Sequence, residues 1–214
     1  MTNRALPNWL EAYLVYTHES ESPELFHLWA GISAIAGTLR RSVWFAVGYF
    51  RLYTNQYIVM VSPPGRCKKS TAMRISKDIL TQIPVVKFGV ESTSRERLIT
   101  DLGMAYADGQ ASMTTHSSEF ATMLTTSGMD MVVFLTDIYD SPDDWTHRTK
   151  SGGTSPIKSP CFNLLAGTTP EWMSKAMPLD TVGIGLTSRI VFVYSDSPRP
   201  RRFIPRLSED QKAL

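Results

Sequence analysis

Residues 56–71 read QYIVMVSPPGRCKKST, and their interpretation decides the fold. Tyr57–Val61 is an unbroken apolar run rich in β-branched residues, which predicts a buried strand. Ser62, Pro63, Pro64 and Gly65 end it, because proline cannot continue a ladder and glycine accepts turn geometry. Lys69, Ser70 and Thr71 then open a stretch over residues 70–81 with helical patterning. Strand, Pro/Gly turn and Lys-Ser-Thr at a helix start is the layout of a phosphate-binding loop (P-loop). In that layout the backbone of residues 64–68 (Pro64, Gly65, Arg66, Cys67 and Lys68) wraps the phosphates of a nucleotide. The lysine neutralises the β and γ phosphates, and the next hydroxyl ligates Mg²⁺. ATP and Mg²⁺ are therefore the expected cofactors.

The spacing departs from G-x-x-x-x-G-K-[ST]. Ser62 stands where the first glycine belongs, and Arg66, Cys67 and Lys68 separate Gly65 from Lys69, one residue more than usual. Taking Lys68 as the phosphate lysine would put Lys69 where the Mg²⁺ hydroxyl is needed. Lysine has no acceptor for a metal, so Lys69 with Ser70 and Thr71 is the preferred register. The competing reading is a basic turn entering a helix.

The rest of the chain is consistent with one α/β unit. Its 214 residues, 43% hydrophobic and 20% charged, suffice for a full core and exclude disorder. A net charge of +2 announces no general nucleic-acid binder. Cys67 and Cys161 have no metal-ligand spacing, which fits a reducing, cytoplasmic setting. No signal-peptide layout is visible, and no apolar run approaches the ~18 residues of a membrane span. Glu24–Leu39 carries apolar residues at helical spacing behind Ser22-Pro23, and residues 42–53 suggest two short strands or a hairpin. Further strands are expected at residues 85–90, 111–115, 160–168 and 189–194, with a helix over 95–106. Residues 140–159 and the Arg/Pro-rich tail from 197 read as loose. Alternating strands and helices predict a mostly parallel sheet covered on both faces.

Hydrolysis needs a carboxylate at the end of a second strand. The segment from Met131 to Asp137 (MVVFLTD) is the more apolar candidate, with Asp137 or Asp140 as the acid. Residues 111–119 make a poorer strand but end in Ser118-Glu119, and their spacing from the loop favours Glu119. A later strand ends in Thr168-Thr169, giving the order phosphate loop, acid, polar sensor. Glu119 has a plainer reading as a capping carboxylate. Residues 145–153, including His147, Arg148 and Lys150, form a basic, glycine-bearing segment suited to nucleic-acid phosphates, or simply a solvated loop. Arg199, Arg201, Arg202 and Arg206 around Phe203 make a second basic cluster that a linker explains equally well. Arg189, at the start of the last strand behind Val182, Gly183, Ile184 and Gly185, is either a strand-end cation or an arginine acting on the γ-phosphate, in cis or towards a neighbouring subunit.

The succession PELFHLWAGISAIAGTLRRSVWF, SPPGRCKKST, SSEF, LTDIYDSPDDW, LLAGTTPEW and GLTSRIVFVY, spanning residues 23–194, resembles a family of phage and prophage P-loop proteins found in replication modules as helicase or primase-helicase ATPase domains. The resemblance implies Lys69, Ser70 and Thr71 in the phosphate site and Glu119 as the acid. It also implies Thr168 or Thr169 as sensor and Arg189 near the γ-phosphate, and it puts residues 137–145 on a helix and loop. Ser118 departs from the family by replacing the usual aspartate, so either Glu119 serves both roles or Mg²⁺ is held chiefly by Ser70 and water. The implied protein is an α/β P-loop NTPase of AAA+/RecA-like type with N-terminal helices at residues 1–41, a core at 42–196 and a tail at 197–214. It would be an ATP-dependent DNA helicase or translocase of phage replication, assembled as a homo-oligomeric ring in the bacterial cytoplasm. Its partners would be single-stranded or forked DNA and a primase or other replication proteins, with no membrane. The alternatives are a nucleotide-binding switch or assembly subunit with little hydrolysis, and a DNA-packaging motor.

Overall fold

The computed structural model describes residues 6–91, 93–149, 153–176 and 185–200, at 148–149, 153–155 and 176 as backbone only. In chain order the elements are α1 (Trp9–Tyr16), α2 (Glu24–Leu39), β1 (Trp44–Val47), β2 (Phe50–Tyr53), β3 (Tyr57–Val61), α3 (Lys69–Leu80), α4 (Arg95–Met104), β4 (Tyr106–Ala107), β5 (Gln110–Ser117), α5 (Phe120–Ser127) and α6 (Met129–Tyr139). There follow β6 (Asp144–Thr149), β7 (Gly153–Lys158), β8 (Pro160–Thr168), α7 (Pro170–Ala176), a 3₁₀ turn (Thr187–Arg189) and β9 (Ile190–Tyr194).

β3 is apolar at every position because both of its faces are covered. Tyr57, Val59 and Val61 point into a core shared with α4, α5 and α6, where Leu98, Phe120, Met131 and Phe134 meet Leu164 and Ala166 of β8. Ile58 and Met60 point the other way, onto Phe26 and Ala30 of α2 and Ala72 and Met73 of α3. This period-2 division explains why a run without alternation still makes a strand. At ~25 cal/mol per Å² of apolar area, each such side chain contributes roughly 1.5–3 kcal/mol. Polar residues interrupt the second face: Ser112, Thr114 and His116 of β5 are buried there, and Asn163 of β8 donates to the backbone carbonyl and hydroxyl of Ser33 at 3.1 Å each and accepts the Gln56 amide at 3.0 Å.

The central sheet has five strands in the order β4-β5-β8-β3-β9. The expected mostly parallel sheet of AAA+/RecA P-loop type is not what forms. Of six strand pairings among the described residues, β3–β8, β3–β9 and β5–β8 are parallel, whereas β1–β2, β4–β5 and β6–β7 are antiparallel. The fold is a mixed α/β arrangement with seven α-helices among the described residues. The antiparallel half has local causes. Gly48 (φ 57°) closes the β1–β2 hairpin through a two-residue loop, and Asp108 and Gly109 (φ 53° and 80°) close β4 onto β5, the backbone that primed hairpin turns require.

Two further expectations are corrected. Residues 85–90 form no strand and contribute a single bridge, Phe88 to Thr114. Residues 144–158, read as loose, are the β6–β7 hairpin, with Ile157 in the core and Trp145 edge-on to Phe134 at 5.2 Å. The segment around Asp137 belongs to α6, so it supplies no catalytic strand.

Candidate phosphate-binding site

Parallel pairing brings the carboxyl ends of β5, β8, β3 and β9 to one edge of the sheet, the place where open α/β sheets bind ligands. Val61 lies opposite Thr168 on one side and Tyr194 on the other, and Ser117 opposite Ala166. Loop 62–68 leaves β3 at this edge and turns directly into α3. Gly65 has φ 68° with open space where a Cβ would stand. Lys68, the N-cap of α3, is also left-handed, at φ 47° and ψ 42°. Its carbonyl accepts a 2.7 Å hydrogen bond from Ser22 Oγ, and the buried Cys67 thiol donates to the Ser195 carbonyl at 3.4 Å.

Lys69 is the first residue of α3, and its half-buried side chain curls back over the loop. Nζ donates to the carbonyl and the hydroxyl of Ser62, both at 2.9 Å. Ser62 is fully buried, and its amide leans on the Thr168 carbonyl at 3.4 Å. Burial holds the Lys69 pKa below 10.5, while the charges of Glu119, Cys67 and Glu171 pull it back up. Glu119 is therefore close enough to act electrostatically on Lys69. It sits at the N-cap of α5 yet makes no capping hydrogen bond, and its side chain is exposed at the sheet edge.

Gly167 links these pieces, although no local motif singles it out. A Cβ there would stand 3.1 Å from the Ser118 carbonyl and 3.6 Å from Lys69 Cε. Only a glycine lets the corner after β5 and the lysine stem close over the end of β8. The two candidate sensor threonines also separate. Thr169 Oγ1 accepts the Trp172 amide at 3.3 Å, capping α7. Thr168 is buried, and its hydroxyl has no partner among the described residues.

Among the loop donors, Pro64 has no amide to offer, and the Arg66 amide is spent on the Pro63 carbonyl at 3.4 Å. The amides of Gly65, Cys67, Lys68, Lys69 and Ser70 have no partner among the described residues. Pro64, Gly65, Arg66, Ser70 and Thr71 are exposed. Ser70 opens onto a cleft of about 390 Å³, shared with Ser118, His116, Lys77 and Glu91. Among the described residues no three His, Cys, Asp or Glu side chains converge as a metal-binding group. A hard cation in this cleft would find the Ser70 hydroxyl, to be completed by phosphate and water; Ser118 lines the cleft and Glu119 does not.

Other proposed residues lie elsewhere. Arg189 precedes a strand parallel to β3 and so stands at the amino edge of the sheet, across the full strand length from the loop. It donates to Asp140 at 2.9 Å and to the Gly185 carbonyl at 3.1 Å, over the Tyr139 ring at 5.7 Å. A role on its own chain's phosphates is excluded by this placement. Asp140 is Arg189's partner and lies at the same far edge.

His147 is stacked on Trp145 with centroids 5.9 Å apart, and Arg95 Nη2 reaches its Nε2 at 2.7 Å, so it is a packed residue and not a free contact. Lys150, the Arg148 side chain, Val182, Gly183, Ile184, Arg201, Arg202, Phe203 and Arg206 lie outside the described residues. Arg199 is tied to the Thr17 and His18 carbonyls and to Glu24. Both cysteines are free and buried. No helix among the described residues is long and apolar enough to cross a membrane.

A scan against family models finds none that matches this chain, and no curated protein is measurably similar to it.

Proposed function

We propose that this chain binds ATP with Mg²⁺ at loop 62–70 and hydrolyses it, with Lys69 on the β/γ phosphates, Ser70 on the metal and Glu119 towards the attacking water. The observation that carries the reading is the convergence of Lys69, Ser62, Gly167 and Ser118-Glu119 at one sheet edge, beside five amides of the loop and helix start that have no partner among the described residues. Oriented amides and a helix N-terminus favour a multiply charged anion. Glu119 is held apart from helix capping and within electrostatic reach of the lysine, the disposition of a group that orients water. Bound Mg²⁺ would supply charge neutralisation on the transferring phosphoryl group. Thr168, buried at the neighbouring strand end with no hydroxyl partner among the described residues, suits a sensor better than Thr169. Coupling to DNA is the further part of the proposal and rests on the resemblance of the motif order.

The second reading is a nucleotide-binding switch with little turnover, favoured by Ser118 standing where an aspartate would strengthen the metal site. Nucleotide binding and turnover of wild type, Lys69→Ala and Glu119→Gln, each with and without single-stranded DNA, separate the two. Turnover raised by DNA and abolished in both variants, with binding kept in Glu119→Gln, supports a DNA-coupled ATPase. Binding with negligible turnover supports the switch. No binding by the wild type defeats both.

A further inference from the structure

The β1–β2 hairpin stands off the sheet with its side chains in water. Its register pairs Phe45 with Leu52 and Val47 with Phe50 on one face, and Trp44 with Tyr53 and Ala46 with Arg51 on the other. The first face has no polar side chain, and Tyr49 at the tip is wholly exposed. Taking roughly 200 Å² per aromatic side chain, the exposed fractions of Phe45 (71%), Phe50 (72%) and Tyr49 at the tip (103%) leave about 500 Å² of aromatic surface in solvent, with Trp44 on the opposite face. Val43, Val47 and Leu52 extend it towards the ~800 Å² that each partner contributes to a standard stable interface. Isolated two-stranded hairpins are marginal in water, and an unpaired apolar ribbon also invites pairing.

Trp9, Ile35, Leu39, Ile79, Leu80 and Ile83 line an apolar groove of about 220 Å³ between α2 and α3, room for an aromatic side chain. The protein's own hairpin does not enter it, since Tyr49 and Phe50 remain in solvent. A nucleic-acid strand suits the hairpin less well. Arg40 and Arg41 at its base are paired with Asp108 and Asp143, which leaves Arg51, itself over Trp44 at 5.4 Å, as the cation on the ribbon.

We infer that the hairpin is a self-association element: the apolar face of one copy seats in the α2/α3 groove of a second copy. A knob and a hole at different places on one chain make a head-to-tail contact, which closes into a ring or extends as a filament. This inference is independent of nucleotide binding.

Sedimentation velocity of the full chain over a dilution series tests it, comparing wild type, a Phe45→Glu/Phe50→Glu hairpin variant, an Ile35→Glu groove variant and their equimolar mixture. The wild type should associate, and each variant should do so about tenfold more weakly or worse. The mixture should recover a dimer, because one intact hairpin meets one intact groove. Circular dichroism checks the fold, and if the double variant unfolds, Tyr49→Asp takes its place, since that side chain touches nothing to unfold. A wild type that stays monomeric, or variants that associate as well as it does, overturn the inference. Weakening without recovery in the mixture overturns the hairpin-to-groove pairing and puts hairpin against hairpin. A monomer whose Trp44 fluorescence responds to a single-stranded oligonucleotide assigns the face to nucleic acid instead.

Discussion

Replacing Lys69 by alanine should abolish tight nucleotide binding while leaving the unliganded protein about as stable as before. In the absence of nucleotide, Nζ makes two 2.9 Å hydrogen bonds to Ser62, each worth about 1 kcal/mol net. Against them stands the cost of a half-buried ammonium, visible as the depressed pKa whose first cause is burial. Gain and cost nearly cancel, so the melting temperature should barely move.

Binding is different. The ammonium exchanges Ser62 for phosphate oxygens that carry full charge. A charge-assisted hydrogen bond is worth ~1.5–3 kcal/mol, and a unit charge at 4 Å adds up to ~4 kcal/mol at an effective dielectric of 20. Subtracting the contacts surrendered leaves roughly 2–4 kcal/mol, which is about 30- to 1000-fold in Kd. Calorimetric titration of a non-hydrolysable ATP analogue with Mg²⁺ reads this directly. A loss below about threefold with the fold intact would refute the assignment of Lys69. Sign gives a second check. Because the folded-state pKa lies below 10.5, the unfolded chain binds more protons between the two values. Wild-type stability therefore rises as pH climbs through the lowered pKa, and the alanine variant should lack that component.

Gly167→Ala should weaken binding or turnover more than stability, because the new methyl meets the Ser118 carbonyl at 3.1 Å and crowds the Lys69 stem; paired titrations and thermal melts check it. His27 and His116 are both buried, and burial lowers each pKa from 6.5 to about 4, against a Met73 backbone hydrogen bond that pulls His116 back up. The unfolded chain then holds more protons between those values, so stability is whole above pH 6.5 and is lost as pH falls to about 4, by ~3 kcal/mol per histidine. Urea titrations across that range should show the slope halved in His116→Gln. Tyr57→Phe removes a buried 2.9 Å hydrogen bond to the Leu135 carbonyl and should cost about 1 kcal/mol in the same assay without affecting nucleotide binding.

Much of the sheet was legible because its strands obey local rules. Tyr57–Val61 is apolar throughout, and Pro160–Thr168 is so but for Asn163 and Thr168, because helices cover both faces; residues 189–194 follow nearly the same pattern. Residues 85–90 carry similar side chains, but Pro84 precedes them and their amides find one bridge, so composition misled. The Asp108-Gly109 turn was written in the sequence, and attention to it would have ended α4 earlier and shown the antiparallel β4–β5 pair. The β6–β7 hairpin was harder, because its residues are polar and its burial comes from Trp145 and Ile157 meeting α4 and α6. Arg189 shows a different limit. Its residue type suited phosphate chemistry, but a residue that precedes a parallel strand stands at the opposite edge from one that follows it. Gly167 escaped notice because a close approach between distant segments leaves no local signature beyond the glycine itself.

Lys68 bends the wrong way for an L-residue, at a cost of ~1–2 kcal/mol. Ser22 grips its carbonyl, Glu21 stands 4.0 Å from its ammonium, and next to it Cys67 is moored to Ser195. Arg199 in turn donates its amide to the Glu21 carbonyl. Residues 21–22 and 195–199, at opposite ends of the described chain, thus meet behind one strained turn and hold it cocked, so whatever pulls on either stretch pulls on the loop.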